Sequence, residues 1–212
     1  MNELLDSELP EFNFAIGKPL IIIISGLSGA GKDTVINQLR NINEYDFHFV
    51  VTCNTRARRH NEIDGVDYHF VTREQFLQMI AKDELIEYSS VYSDFKGVPR
   101  VEIEKAFQKG KDMILRLDHQ GTRKVKEAYP EAISIFIVPP DPQTWIKRLK
   151  DRGGQTDEDL RVRIKTAKEE LAAIEAFDYL VINDRMEDTM KDVSNIIRAE
   201  HHRISRIVSR TR

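Results

Sequence analysis

The sequence predicts an α/β fold built on a parallel five-stranded core sheet flanked by helices. Three observations carry this. The run Ile21-Ile22-Ile23-Ile24, preceded by Leu20 and followed by a glycine-rich turn, reads as a strand buried on both faces. Apolar strand-like runs recur near residues 20, 48, 113, 133 and 179, separated mostly by helical patterns, as in sheets whose parallel strands are joined by crossover helices. In the turn after the first run, glycines let backbone N–H groups curl inward, and Thr34-Val35-Ile36 and onward read as a helix.

The remaining elements follow from local signals. The first helix fades near Asn41-Ile42-Asn43, and Phe47–Thr52 reads as a strand. A polar loop with Arg56, Arg58 and Arg59 follows, then a turn at Gly65 into a short strand ending at Phe70. Thr72 with Gln75 three residues on is a capping-box pattern that opens a helix through Phe76, Met79 and Ile80. Leu85–Tyr92 has strand character, Asp94–Gly97 reads as a turn, and a helix from about Val101 to Gln108 stops at Gly110. Met113–Asp118 is the next strand, Lys124–Ala128 is helical until Pro130, and Ile133–Val138 is a further apolar strand. Pro142 opens a helix running to Arg152, Gly153-Gly154-Gln155 is a hinge-like break, and a charged helix carries Leu160, Ile164, Ala167 and Leu171. Tyr179–Asn183 is the last strand, and residues 186 to about 208 read as a terminal helix. Residues 1–19 read as an N-terminal extension that could pack on the body through Phe12 and Phe14.

Bulk properties exclude several function classes. A length of 212 residues suits one domain with a sizeable core. With 32 basic and 35 acidic residues there is no global attraction to nucleic acid. The single cysteine, Cys53, rules out an internal disulfide framework and a cysteine-rich metal site. With Glu3, Asp6 and Glu8 and no long apolar run, no secretory signal is expected at the N-terminus, and the isoleucine run is too short to span a bilayer. A soluble cytoplasmic protein, monomeric or homodimeric, with no membrane partner, is the expectation.

The chemistry gathers at the carboxyl ends of the strands, where ligands of such sheets sit. Strand, glycine-rich turn and helix N-terminus make a phosphate cradle over Gly26, Ser28, Gly29, Ala30, Gly31, Lys32, Asp33 and Thr34. Lys32 supplies a point charge between the outer phosphates of a bound nucleotide. The usual pattern places Ser or Thr directly after the lysine, whereas Asp33 stands there with Thr34 next. The arginine loop and Asp118 fall at the same end of the sheet.

Several blocks, in one order, resemble the guanylate kinase family from residue 20 to residue 200: Ser25-Gly26-x-Ser28-Gly29-x-Gly31-Lys32, Thr55-Arg56-x-x-Arg59, Asp64–Val71, Leu85-Ile86-Glu87, Asp118-x-Gln120-Gly121, Arg148-Leu149-x-x-Arg152-Gly153 and Val181-Ile182-Asn183-Asp184. The resemblance implies a P-loop kinase fold with a small acceptor-binding insert at about 53–100 and a lid at about 148–165; beyond the resembling region, residues 201–212 read from their arginines as a basic C-terminal tail. It implies transfer of the γ-phosphoryl group of ATP to GMP or dGMP, with ATP and Mg²⁺ as cofactors. Lys32, Arg148, Arg152 and Arg163 would be catalytic, and Thr34 would face Mg²⁺. Arg56, Arg59, Tyr68 and Lys96 would meet the acceptor phosphate, while Thr52, Glu87 and Asp118 would contact the base.

The chain departs from the family's usual pattern at Lys96-Gly97-Val98, at Arg116-x-Asp118, at His60-Asn61 and at Asp33. Asp33 resembles the loop of ribose 1,5-bisphosphate phosphokinases. Two further readings therefore stand beside the first: a kinase of the same fold with a shifted acceptor such as that sugar phosphate, and a catalytically silent protein-binding module.

Overall fold

A computed structural model describes residues 14–42, 46–60, 62–91, 94–151 and 156–209. The first half of the chain forms β1 (Phe14–Ile16), β2 (Ile21–Gly26), α1 (Lys32–Arg40), β3 (His48–Phe49), β4 (Cys53–Asn54), β5 (His69–Phe70) and α2 (Arg73–Ala81). Then come β6 (Leu85–Val91), β7 (Asp94–Pro99), α3 (Arg100–Gln108), β8 (Met113–Arg116) and α4 (His119–Ala128). The last part forms β9 (Ile133–Val138), α5 (Pro142–Asp151), α6 (Asp157–Ala172), β10 (Tyr179–Ile182), α7 (Met186–His201) and β11 (Ile207–Ser209).

The five expected core strands form one parallel sheet in the order β10-β9-β2-β8-β3. Its central strand behaves as the isoleucine run demands. Ile22 and Ile24 enter the cluster under α1, α5 and α7, whereas Ile21 and Ile23 join Ile103, Leu115 and Val125 on the opposite face. All four are at most 1% exposed. Burying each contributes about 1.5–3 kcal/mol, which is why a β-branched apolar run is needed at the sheet's centre.

The segment from Cys53 to Pro99 forms a separate four-stranded sheet, β5-β4-β7-β6. Cys53, Phe76 and Leu85 are its buried core, and Phe76 stacks on Phe95 at 5.3 Å. The capping box at Thr72 is present as the sequence predicts.

Several expectations are corrected. The strand over Phe47–Thr52 pairs in the core sheet only at His48 and Phe49, because the chain then changes partners: the Thr52 carbonyl accepts from His69 N at 2.9 Å in the second sheet. The segment Asp94–Gly97 is not a turn but part of β7, antiparallel to β6. Its glycine serves close packing, since a Cβ on Gly97 would lie 3.0 Å from the Glu87 carbonyl and from Phe76. Helix α4 starts at His119 rather than Lys124, because the Asp118 carboxylate accepts from Gly121 N at 2.8 Å and caps it. Leu171, which helical spacing groups with Leu160, Ile164 and Ala167, is 43% exposed, whereas those three pack into the core. The terminal helix ends at His201, and the chain continues into β11, which pairs antiparallel with β1. In that ribbon Phe14 is 66% exposed, so it does not anchor the extension to the body; Phe12 lies outside the described residues. Among the described residues, no helix is long and apolar enough to cross a membrane.

Candidate functional site

A cleft of about 920 Å³ opens at the carboxyl ends of β2 and β8, between the core sheet and the second sheet. One wall is the turn from β2 to α1. Gly26 has φ +132°, and a Cβ there would sit 2.0 Å from the Ile137 carbonyl oxygen; Gly31 has φ +95°, with Asn183 Nδ2 2.3 Å from its Cβ position. Only glycine allows this path so close to β9 and the end of β10. The turn is then held by its carbonyls. Trp145 Nε1 donates to Ser28 O at 2.8 Å, Asn183 Nδ2 donates to Ala30 O at 2.7 Å, and Lys32 Nζ donates to Gly26 O and Leu27 O at 2.6 and 2.9 Å. With its carbonyls occupied by protein donors, a glycine-rich turn at a helix N-terminus offers its remaining surface to anions. The Ala30 methyl is fully buried in the core and does not line the cleft, because the turn folds it under α1.

The opposite wall is strongly basic. Arg56, Arg59, Tyr68, Lys96 and Arg116 line it. Arg56 is paired with Glu62, donating through Nη1 at 2.7 Å and by a second, shorter bond through Nη2. Those bonds, with help from Arg59, hold the Glu62 carboxyl down at about 2. Arg56 also lies 5.1 Å from the Tyr68 ring centroid, so its guanidinium is oriented before any ligand arrives. Burial lowers the Lys96 ammonium below its usual range; Asp118 opposes this, while Arg116, Arg56 and Arg59 reinforce it. These cations converge, which is the electrostatic signature of a site for a multiply charged anion.

Glu87 and Asp118 lie between the two walls. Glu87 is only 3% exposed although β6 is an edge strand, because α4 packs over it: Gly121 brings its Cα so close that a Cβ would be 3.2 Å from the Glu87 carboxyl carbon. Burial pushes the Glu87 carboxyl up to about 7; Asp118 adds to this, and Lys124 and Lys96 oppose it. Glu87 Oε2 is buried without a hydrogen-bond partner. A buried, unpaired acceptor aimed into a cleft is costly unless a ligand completes it.

Helices α5 and α6 flank the glycine-rich turn. Arg148 donates to Asn183 O at 2.8 Å and Asp184 O at 3.2 Å, and Arg163 donates to Ser28 Oγ. Arg152 lies outside the described residues, as do Gly153, Gly154 and Gln155 of the expected lid. Every other expected site residue except Ala30 lines the cleft, including Thr34 and Thr52.

Sequence reasoning missed others. Thr166 and Glu170 lie three and seven residues after Arg163 on one face of α6, and both line the cleft. Burial pushes Glu170 up to about 7 against the pull of Lys32. Asn183 was legible only as part of a family block; its work is structural, since its amide holds the Ala30 carbonyl while Thr189 donates to its oxygen at 3.0 Å. Helical spacing from Arg163 could have found Thr166 and Glu170, whereas nothing local marks Asn183.

A phosphate cradle facing a cluster of cations, with the buried Glu87 carboxyl and Asp118 lining the same cleft, can hold two phosphorylated ligands end to end. Comparison with known proteins agrees with that geometry. The family model described as Guanylate kinase matches residues 18–200. The chain is 44% identical over 190 residues to guanylate kinase 2, chloroplastic/mitochondrial, of Oryza sativa subsp. japonica; the match covers 88% of this chain and 66% of the rice protein, so the chain spans about two thirds of that relative. It is 40% identical over 189 residues to the guanylate kinase of Clostridium perfringens (strain SM101 / Type A), covering 89% of this chain and 87% of that one. The crystal structure of guanylate kinase from Anaplasma phagocytophilum superposes with a TM-score of 0.75 at 34% identity, covering 91% and 92% of the two chains.

Proposed function

The chain belongs to the guanylate kinase family, and from that premise we propose that its cleft binds ATP and GMP together and joins them for direct phosphoryl transfer. It is an ATP-dependent nucleoside monophosphate kinase that transfers the γ-phosphoryl group of ATP to GMP, giving GDP and ADP. Neither a shifted acceptor nor a silent binding module is favoured by its relatives. The observation that carries the reading is the cleft itself, which joins the phosphate cradle, the basic wall and the buried Glu87 carboxylate in one space.

In the reaction, an oxygen of the GMP phosphate attacks the γ-phosphorus as the bond from that phosphorus to the β,γ-bridging oxygen breaks, and ADP leaves with that oxygen. Little covalent chemistry falls to the protein; positioning and charge stabilisation do most of the work. In our reading the turn from Gly26 to Thr34 holds the ATP phosphates and Lys32 turns from its loop carbonyls to the outer ones. Arg148 and Arg163, with Arg152, neutralise charge on the transferring group. Arg56, Arg59, Tyr68 and Lys96 grip the acceptor phosphate, as fork-shaped guanidinium groups suit a dianion. Glu87 accepts from guanine N1–H and the exocyclic amine, with Thr52 and Asp118 beside it; such pairing discriminates strongly against bases that leave it unmet.

The hydroxyl of Thr34 in the first turn of α1 fits Mg²⁺, a hard cation that takes oxygen ligands and keeps most of its waters. When bound it would neutralise phosphate charge. We also place the protein in the cytoplasm.

The test is ADP release from MgATP with GMP, dGMP, AMP, UMP or ribose 1,5-bisphosphate as acceptor. Turnover should be fastest with GMP, with dGMP also accepted. Turnover with the sugar phosphate but not with GMP would refute the reading.

A further inference from the structure

We infer that Arg116 is a ligand of the acceptor's phosphate group and that Asp33 is the residue that positions it. This rests on the proposed transfer to GMP. Arg116 ends β8, directly across the ladder from Ile24, so it emerges beside the strand that enters the phosphate turn. Its Nη1 donates to Asp33 Oδ1 at 2.6 Å, a bond between residues 83 apart in sequence. Asp33 stands in the first turn of α1, immediately after Lys32. The same guanidinium lies 4.9 Å from the Tyr68 ring centroid, and Arg56 lies 5.1 Å from that ring. Arg116 thus bridges the donor-side turn and the basic wall, and it lines the cleft between them.

Two physical points favour a ligand role over a purely structural one. The Arg116 and Asp33 side chains remain 32% and 52% exposed, and pairs so open to water contribute little to stability. The Asp33 bond uses one of five guanidinium N–H donors, so the fork keeps donors for a phosphate. Arg116 also acts on Lys96, whose depressed ammonium reports the field of Arg116, Arg56 and Arg59 after that of burial. A dianionic phosphate placed among these groups relieves their mutual repulsion.

The experiment measures dissociation constants of GMP, guanosine and ATP by calorimetry for wild type and Arg116→Gln, with Arg116→Lys as a second variant that keeps charge but loses the fork. For Arg116→Gln the GMP constant should rise roughly ten- to hundredfold, the scale of a lost charge-assisted hydrogen bond. Guanosine and ATP should stay within about twofold, because neither carries the acceptor phosphate. In steady state, Asp33→Asn should raise KM for GMP more than it lowers kcat, and Asp33→Glu should restore it. In the Arg116→Gln background, Asp33→Asn should add nothing further. Unchanged GMP binding in Arg116→Gln, equal weakening of guanosine and GMP, or weakening of ATP alone overturns the inference. If Arg116→Gln does not fold, unchanged GMP binding in Arg116→Lys overturns it equally. Wild-type turnover with GMP combined with any of these results isolates the failure to Arg116, whereas a wild type inert toward GMP overturns the proposed acceptor itself.

Discussion

Replacing Glu87 with glutamine should separate the stability of the empty enzyme from its affinity for GMP, and do so in a pH-dependent way. The carboxyl is held at about 7 instead of 4.5, chiefly by burial. A displacement of that size corresponds to about 3 kcal/mol between the two protonation states. Its sign follows from proton linkage. The folded protein binds this proton more tightly than the unfolded chain, so the stabilisation is fully present below pH 4.5 and is lost as pH rises through about 7. Glutamine keeps the neutral shape at every pH. Glu87→Gln should therefore match wild type near pH 4.5 and exceed it by up to about 3 kcal/mol at pH 8, or roughly 6–12 °C in Tm for a chain of this size. GMP binding should move the other way. An amide cannot accept from both guanine donors, so affinity at pH 8 should fall on the order of a hundredfold or more. In wild type, GMP binding at pH 6.5 should release a proton from Glu87, visible by calorimetry in buffers of different ionisation enthalpy. Subtracting the Glu87→Gln result removes the contribution of the GMP phosphate. A Tm difference that is constant from pH 4.5 to 8 would refute the burial argument, and unchanged GMP affinity would refute the assignment of Glu87 to the base.

Two further substitutions probe the phosphate turn. Lys32→Ala should lower ADP formation by at least about a hundredfold, the scale of losing one preorganised charge stabiliser, while circular dichroism stays native; normal turnover would remove Lys32 from the mechanism. Gly26→Ala places a methyl 2.0 Å from the Ile137 carbonyl oxygen at a φ of +132°, and should cost more than about 3 kcal/mol in urea unfolding. A soluble variant with an unchanged midpoint would contradict the described path of the turn.

Most of the cleft could be read in advance because its parts are local. The isoleucine run, the spaced glycines and Lys32 lie within a dozen residues and have one physical meaning together, a buried strand feeding a phosphate turn. Thr72 with Gln75, and the apolar runs of β8 and β9, are equally self-contained. Burial of an alternating or continuous apolar run imposes a periodicity that the chain carries in its own order. The segment Asp94–Gly97 misled for the converse reason. Asp and Gly favour turns locally, but here the glycine answers to the Glu87 carbonyl and Phe76 across the sheet.

What tertiary structure alone decided has no local trace. Asn183 reaches across 153 positions to hold the phosphate turn, Arg116 reaches across 83 to meet Asp33, and β1 and β11 join the two ends of the described chain. Glu87 is likewise an ordinary strand glutamate until Gly121 lays α4 against it and shuts out water. The amino-acid order determined which segments bury apolar surface and where an anion can sit. Which polar groups face one another, and hence which charges are shifted and which side chains converge on the cleft, depended on contacts whose partners are distant in sequence and meet only when the two sheets close around the cleft.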